Sequence, residues 1–257
     1  MRGDWGAQAS RLLVSASRRN DLLPAIAFIV SVSIAISAAA QDIDKKTEQI
    51  RYAAIGDSYS IGEGTTPDKS WPAVLTKHLK EKGFKIELVA NPSRTGWTTQ
   101  QAIDLELPIF REAKPNFATL QIGVNDWVQG VDEETFRKQF VTLVDKMLEL
   151  LPNKNRLLIV TIPDFSVAPA GSKYARGRKI SEGLSRFNQI IAEETKRRGL
   201  RGVDVFELSK KMRDDPSLVA KDGLHPSAKE YAEWEKVIFP AALELLRREI
   251  RDSESKQ

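Results

Sequence analysis

The chain reads Arg51-Tyr52-Ala53-Ala54-Ile55-Gly56-Asp57-Ser58-Tyr59-Ser60, and this stretch decides how the rest is arranged. Residues 51–54 form a short, mostly apolar run of the kind that is typical of a buried β-strand. Ser58 follows where this strand stops, and ligands of open α/β sheets bind at the ends of strands. Two interpretations arise: Gly-Asp-Ser is a plain turn, or it presents a nucleophilic hydroxyl.

Strand and helix patterns alternate through the body of the chain. The patterns predict strands over residues 51–54, 84–89, 117–122, 157–162 and 202–206. They predict helices over residues 70–82, 98–106, 132–151, 180–198 and 228–251, with Pro108 interrupting the second and Pro240 kinking the last. This alternation indicates one three-layer α/β domain around a five-stranded, mainly parallel sheet.

Composition excludes several classes of function. At 257 residues the chain can bury one sizeable core, and its net charge of +4 is too small for a nucleic-acid-binding face. There is no cysteine, which excludes disulfides, a thiol nucleophile and a Cys-ligated metal. We therefore expect no nucleic-acid partner.

The first forty residues have the pattern of an export signal. Basic residues precede an apolar run that ends in Ala38-x-Ala40, a small-residue cleavage site. We expect a periplasmic or secreted protein with no membrane span after cleavage. The alternative is an uncleaved anchor over residues 22–40. The predicted organisation is a signal over 1–40, a polar lead-in over 41–50, a catalytic domain over 51–251 and a polar tail over 252–257.

Five residues at predicted strand ends or in late loops form a set suited to acyl transfer. Such transfer needs a nucleophile, a base, a group that orients the base and donors for the oxyanion. His225 is the candidate base, and Asp222 lies three residues before it in a glycine-containing segment. The other histidine, His78, falls on a predicted surface helix, where we expect it to be solvated.

Oxyanion donors also have candidates. Asn125 follows a predicted strand and can direct a side-chain amide at an oxyanion, although an asparagine turn is the alternative. Gly96 lets a substrate approach its backbone N–H because it has no Cβ. The N–H of Ser58 is the third candidate donor.

The ordered motifs resemble the SGNH, or GDSL, hydrolase family. They are Gly56-Asp57-Ser58, then Gly96, then Gly123-x-Asn125-Asp126, and finally Asp222-x-x-His225-Pro226. Tyr59 replaces the leucine of the usual signature. The resemblance implies a flavodoxin-like α/β/α sandwich and a hydrolase of the esterase, thioesterase, lysophospholipase or carbohydrate deacetylase kind.

The resemblance also implies a role for each residue. Ser58 would be the nucleophile, Asp222 and His225 would complete the triad, and Gly96 and Asn125 would join Ser58 in the oxyanion hole. Asp57 is then interpreted as bracing the loop. The expected activity is hydrolysis of an acyl or acetyl ester of a lipid or carbohydrate, with no cofactor and no metal.

Substrate contacts are less defined by the sequence. We expect Tyr59, Arg94, Trp97 and Tyr174 to contribute to them. The basic segment over residues 164–179 can meet an anionic head group or polysaccharide, or it can be an ordinary solvated loop.

Two other classes of function remain open from the residues alone. One is a metal-dependent phosphoesterase, whose ligands would be Asp57, Asn125, Asp126, Asp222 and His225. The other is a non-catalytic domain that binds glycans or lipids in the same crevice.

Overall fold

The structure is a computed structural model that describes residues 49–254, with side chains up to residue 247. The predicted export signal or anchor over residues 1–40 lies outside the described residues, as do most of the lead-in over 41–50 and the end of the predicted tail. Within the described part, no helix is both long enough and apolar enough to cross a membrane.

Five parallel strands form one sheet in the order β2-β1-β3-β4-β5. The strands are β1 (Ile50–Gly56), β2 (Ile86–Ala90), β3 (Phe117–Gln121), β4 (Leu157–Val160) and β5 (Arg201–Val203). This is the flavodoxin-like order, in which the chain moves from β1 to one edge and then returns past β1 toward the other. The predicted fold class is confirmed.

Helices cover both faces of the sheet. They are α1 (Ser58–Ile61), α2 (Trp71–Glu81), α3 (Thr99–Gln101), α4 (Leu107–Ala113), α5 (Val124–Gln129), α6 (Glu133–Leu150), α7 (Ile180–Arg197), α8 (Phe206–Ser209) and α9 (Ala228–Glu254). α2 packs against α9, and α6 packs against α7. Right-handed crossovers in opposite directions from β1 place these two pairs on opposite faces, which gives three layers.

The central strands are buried on both faces, so their sequences are continuously apolar rather than alternating. β1 has no exposed side chain from Tyr52 to Ile55. The one polar group of this run, the Tyr52 hydroxyl, shares a 2.7 Å hydrogen bond with Thr119 on the neighbouring β3. The core therefore holds β1 rigidly up to the residue before Asp57.

Three local predictions were wrong. Pro108 does not interrupt the helix there, because a π-helical turn over Ala102–Glu106 leads into α4, and Pro108 lies in its first turn, where a missing N–H costs little. Residues 124–129 form a helix, α5, where no helix was predicted. The predicted strand over 202–206 ends at Val203, and α8 begins at Phe206.

Candidate active site

Ser58 is the first residue of α1, and only Asp57 separates it from the end of β1. The side chain of Asp57 caps this helix by accepting the Tyr59 N–H at 3.0 Å. Gly56 is required before it, because a Cβ there would lie 2.2 Å from Ser60 Oγ and 2.3 Å from the Gln121 carbonyl oxygen. The turn from strand to helix is therefore tight, and it fixes the backbone of Ser58.

Asp222 and His225 form a compact pair in the loop before α9. His225 Nδ1 and Asp222 Oδ2 are 2.6 Å apart, and Asp222 Oδ1 accepts the N–H groups of Leu224 and His225 at 2.8 and 3.0 Å. Partial burial works to raise the pKa of Asp222, but these hydrogen bonds outweigh it and hold that pKa below its usual value. Asp222 is therefore ionised at neutral pH and can orient the imidazole.

The loop with His225 lies against the segment that follows Ser58. The Tyr59 ring is 6.0 Å from the His225 ring in an edge-on arrangement. A Cβ on Gly64 would lie 3.2 Å from the Cβ of His225, which shows how closely the two loops approach. Within the described residues, no hydrogen bond joins Ser58 to His225; bonds between a nucleophile and a base often form or shorten only when substrate is bound.

Gly96 and Asn125 lie on two segments that are bonded together. Gly96 has φ +85°, and the space where its Cβ would be is open, with no atom within 4 Å. Asn125 Nδ2 donates to the Trp97 carbonyl oxygen at 2.9 Å, and Gln129 Nε2 donates to the Gly96 carbonyl oxygen at 3.0 Å. Both donors belong to α5, so this helix holds the loop at Gly96.

The remaining motif residues hold α5 in place. Asp126 Oδ2 accepts the N–H of Thr99 at 2.9 Å and its hydroxyl at 3.1 Å, which joins α5 to the start of α3. Gly123 precedes α5 with φ +120°, and a Cβ there would lie 2.8 Å from the Phe136 ring. Gly-x-Asn-Asp is thus a structural unit as well as a candidate donor site.

Three buried carboxyl groups lie around the end of β1. Glu106, the last residue of the π-helical turn, is buried and accepts the Gly56 N–H at 3.1 Å. Burial raises the pKa of Asp57 and of Glu106 to about 8 and that of Asp126 to about 6; charge repulsion from Asp126 adds to the rise at Asp57. Asp57 and Glu106 are therefore mostly protonated at neutral pH.

An apolar cleft of about 550 Å³ adjoins the loop at Gly96. Arg94 and Trp97 lie at this cleft with the guanidinium 5.7 Å from the ring centre. Leu105 and Ile109, which are 47% and 44% exposed, lie four residues apart along its wall, and Ile61 at the end of α1 also lines it. The cleft is therefore lined by Ile61, three residues after Ser58, and by Trp97, the residue after Gly96.

The other expected substrate contacts differ in exposure. Tyr59 is 4% exposed and packs between the rings of His225 and Trp234, so it supports the histidine and offers almost no surface to a substrate. Tyr174 is 39% exposed, and its ring meets Phe165 edge-on. Tyr174 keeps an open face for a ligand.

Two further expectations concern histidine and metal. His78 is half-exposed, but it is not simply solvated: its Nδ1 lies 2.9 Å from Oε2 of the buried Glu235 and joins α2 to α9. Between residues 49 and 254, no three His, Asp or Glu side chains converge in a way that could hold a metal ion.

A serine just after the first strand, an Asp-His pair, and a glycine and an asparagine on two bonded segments lie on an α/β/α fold, which are the features that the sequence motifs predicted for a carboxylic ester hydrolase. Residues 54–232 match the model of the GDSL-like Lipase/Acylhydrolase family. The chain belongs to this family.

Individual relatives are distant. The chain is similar to esterase TesA of Pseudomonas aeruginosa, 26% identical over 92 residues, which are 36% of this chain and 45% of TesA. It is similar to an arylesterase of Vibrio mimicus, 26% identical over 125 residues, which are 49% of this chain and 57% of that protein. The matches thus span about half the length of these relatives.

The solved structures share the fold. A family 3 carbohydrate esterase of Clostridium thermocellum superposes with a TM-score of 0.62 at 19% identity, over 78% of this chain and 98% of that one. At this identity the likeness shows the architecture alone.

Proposed function

We propose that the chain hydrolyses carboxylic esters through a Ser58-His225-Asp222 triad and a covalent acyl-enzyme. The observation that carries the proposal is the 2.6 Å hydrogen bond between Asp222 Oδ2 and His225 Nδ1, beside the turn that presents Ser58. This bond leaves Nε2 of the imidazole as the free nitrogen that can accept a proton. Membership of the lipase/acylhydrolase family supports the same chemistry.

Acylation begins with proton transfer. His225 Nε2 takes the proton from Ser58 Oγ while Oγ bonds to the ester carbonyl carbon, and the carbonyl oxygen becomes an oxyanion. Ionised Asp222 stabilises the imidazolium that forms. Collapse of the tetrahedral intermediate breaks the bond to the alcohol oxygen, which leaves with the proton from His225.

Deacylation repeats these steps with water. His225 takes a proton from water, the hydroxyl attacks the acyl carbon, and the bond to Ser58 Oγ breaks as Oγ regains a proton. The products are the carboxylic acid and free enzyme, so no other reactant is needed.

The proposed oxyanion hole consists of the N–H groups of Ser58 and Gly96 and the side-chain amide of Asn125. An asparagine amide has two N–H donors. One is used on the Trp97 carbonyl oxygen, and the second is available to the oxyanion. Because Gly96 has open space beside its Cα, a carbonyl oxygen can approach its N–H.

The proposed substrate is an ester with an apolar acyl group. The cleft wall formed by Ile61, Leu105 and Ile109 is apolar, and Ile61 is the last residue of α1, the helix that begins at Ser58. Arg94 forms no ion pair with any described residue, so its charge is available to a polar or anionic group of the substrate. Trp97 and Tyr174 are the further proposed contacts. These features favour an acyl ester of a lipid over an acetyl ester of a carbohydrate.

The proposed site of action is outside the cytoplasm, either the periplasm or the medium. The support is the signal pattern over residues 1–40 and the cleavage site at Ala38-x-Ala40. Residues 51–251 would act as one catalytic domain.

The test of the activity is a panel of p-nitrophenyl esters, lysophospholipids and acetylated sugars, measured on the wild type and on Ser58→Ala. We expect turnover by the wild type, none by Ser58→Ala, and no effect of a chelator. Turnover that a chelator abolishes and a metal restores would favour a metal-dependent enzyme. Binding of the glycans or lipids without any turnover would favour a non-catalytic domain.

The test of the cleft is Ile109→Asp, which places a charge in the apolar wall. We expect it to reduce turnover of octanoyl esters and to leave acetyl esters unaffected. Val237→Asp is the matched control, because Val237 is a similarly exposed aliphatic residue (41%) outside this cleft. Equal losses on both chain lengths would contradict the proposed acyl subsite.

A further inference from the structure

Arg178 makes an unusual set of contacts for an arginine in a basic loop. Its Nη1 and Nη2 donate to the carbonyl oxygens of Trp127 and Val128 at 2.6 and 2.9 Å. Its guanidinium carbon lies 4.1 Å from the centre of the Trp127 ring, within cation-π range. Half-buried in these contacts, it is not a freely solvated charge.

Both acceptors lie at the end of α5. The last carbonyl groups of a helix have no partner within the helix, and they carry partial negative charge, so a cation there is stabilising. α5 has only six residues, and a helix that short does not hold its shape by its own hydrogen bonds. Its geometry depends on the groups that bind it from outside.

α5 is also the helix that holds the loop at Gly96. Asn125 and Gln129, four residues apart on one face, donate to the carbonyl oxygens of Trp97 and Gly96. A shift of α5 therefore moves the Asn125 amide and the Gly96 N–H together. Arg178 binds the end of α5 that is opposite Asn125, close to Gln129.

The segment with Arg178 also contacts the loop that holds Asp222 and His225. The N–H of Ala170, eight residues earlier, donates to the Gly223 carbonyl oxygen at 2.8 Å. Gly223 lies directly after Asp222. The connection between β4 and α7 thus contacts both the loop with Asp222 and His225 and the helix α5 with Asn125. Arg178 makes the contact to α5.

We propose that Arg178 is a positioning residue for ester hydrolysis, which acts by holding α5 and thereby the Asn125 amide and the Gly96 N–H at the oxyanion. The proposal rests on the proposed function. It also assigns Arg178 a role other than binding an anionic head group, because both ends of its guanidinium already bond to carbonyl oxygens.

The test compares Arg178→Ala and Arg178→Lys with Arg51→Ala, assayed on a p-nitrophenyl ester. Arg51 is the matched control: its guanidinium donates to the carbonyl oxygens of Ala113 and Lys114 at the end of α4, a helix without proposed oxyanion residues. A displacement of about 1 Å at a catalytic group can cost on the order of a hundredfold. We expect kcat to fall ten- to a hundredfold for Arg178→Ala, with KM within threefold, and both constants to be unchanged for Arg51→Ala.

Chemical rescue separates positioning from general loss of structure. Millimolar guanidinium chloride should restore part of kcat in Arg178→Ala, because a free guanidinium can occupy the same site between the carbonyl oxygens and the Trp127 ring. Arg178→Lys keeps a cation but lacks the planar fork, so it should fold as the wild type does, and it should still lose kcat. A wild-type kcat in Arg178→Lys and Arg178→Ala would overturn the proposal.

The remaining outcomes are also decisive. A raised KM with unchanged kcat would mean that Arg178 binds substrate instead. An Arg178→Ala chain that fails to fold, together with Arg178→Lys that folds and keeps full kcat, would make the residue structural only. Ser58→Ala, assayed in parallel, reports on the proposed function itself: if that variant keeps its activity, the proposed function fails whatever the Arg178 variants do.

Discussion

Replacing Asn125 by alanine separates two tasks of one side chain. One of its N–H donors bonds to the Trp97 carbonyl oxygen at 2.9 Å, and the second is the proposed donor to the oxyanion. Loss of an oxyanion donor costs about 2.7–4 kcal/mol of transition-state stabilisation, or about 10²–10³ in kcat. Loss of the bond to the Trp97 carbonyl oxygen costs about 1 kcal/mol of stability, and it loosens the loop at Gly96.

Gln129→Ala is the matched control for this prediction. It removes only a loop bond, the one to the Gly96 carbonyl oxygen, and leaves every proposed oxyanion donor present. About 1 kcal/mol corresponds to roughly fivefold in rate if all of it reaches the transition state. We therefore expect Asn125→Ala to lose at least twentyfold more kcat than Gln129→Ala does, with little change in KM for either.

Steady-state hydrolysis of a p-nitrophenyl ester measures both variants, and urea unfolding checks that each remains folded. Equal losses in the two variants would refute the reasoning, because Asn125 would then act only by holding the loop. A kcat for Asn125→Ala within threefold of the wild type would refute it as well.

Three more variants test the site and its support. Asp222→Asn should lower kcat by about 10⁴, since the amide cannot stabilise the imidazolium, and a near wild-type rate would contradict the triad. Glu106→Gln should flatten the pH dependence of stability. The pKa of Glu106 is raised from 4.5 to about 8, so between these two pH values the folded chain keeps a proton on Glu106 that the unfolded chain releases. The Glu106 carboxyl should therefore lower the free energy of unfolding of the wild type by about 1.36 kcal/mol for each pH unit of increase in that range. Urea unfolding at pH 5 and pH 7 measures the slope, and the exposed Glu112→Gln should keep the wild-type slope; an unchanged slope in Glu106→Gln would show that its carboxyl titrates normally. Gly123→Ala should destabilise more than Gly130→Ala, because both have positive φ but only the Cβ at position 123 meets an aromatic ring; equal losses in urea unfolding would mean that the ring moves aside.

Local signals in the sequence explain why much of this arrangement was predictable. Strand and helix periodicity is set by which face of each element is buried, so the five strands and their order of alternation could be predicted. Asp222 and His225 are three residues apart, and their contact needs only one turn of chain. The pairing that the sequence suggested is the pairing that the structure has.

Residues with common side chains and distant partners were not predictable. Gln129 and Arg178 are ordinary surface types, and their roles depend on carbonyl groups about thirty and fifty residues away. Glu106 was not identified because its partner, the Gly56 N–H, lies fifty residues earlier in the sequence. His78 was expected to be solvated because its partner, Glu235, lies more than 150 residues later in the sequence.

The most direct test of the central claim is to locate the covalent adduct of a fluorophosphonate by peptide mass spectrometry. The wild-type chain should carry the adduct on Ser58, in proportion to the activity lost, and Ser58→Ala should carry none and hydrolyse no ester. An adduct on another residue, or a Ser58→Ala chain that is labelled or hydrolyses esters like the wild type, would contradict the assignment of Ser58 as the nucleophile.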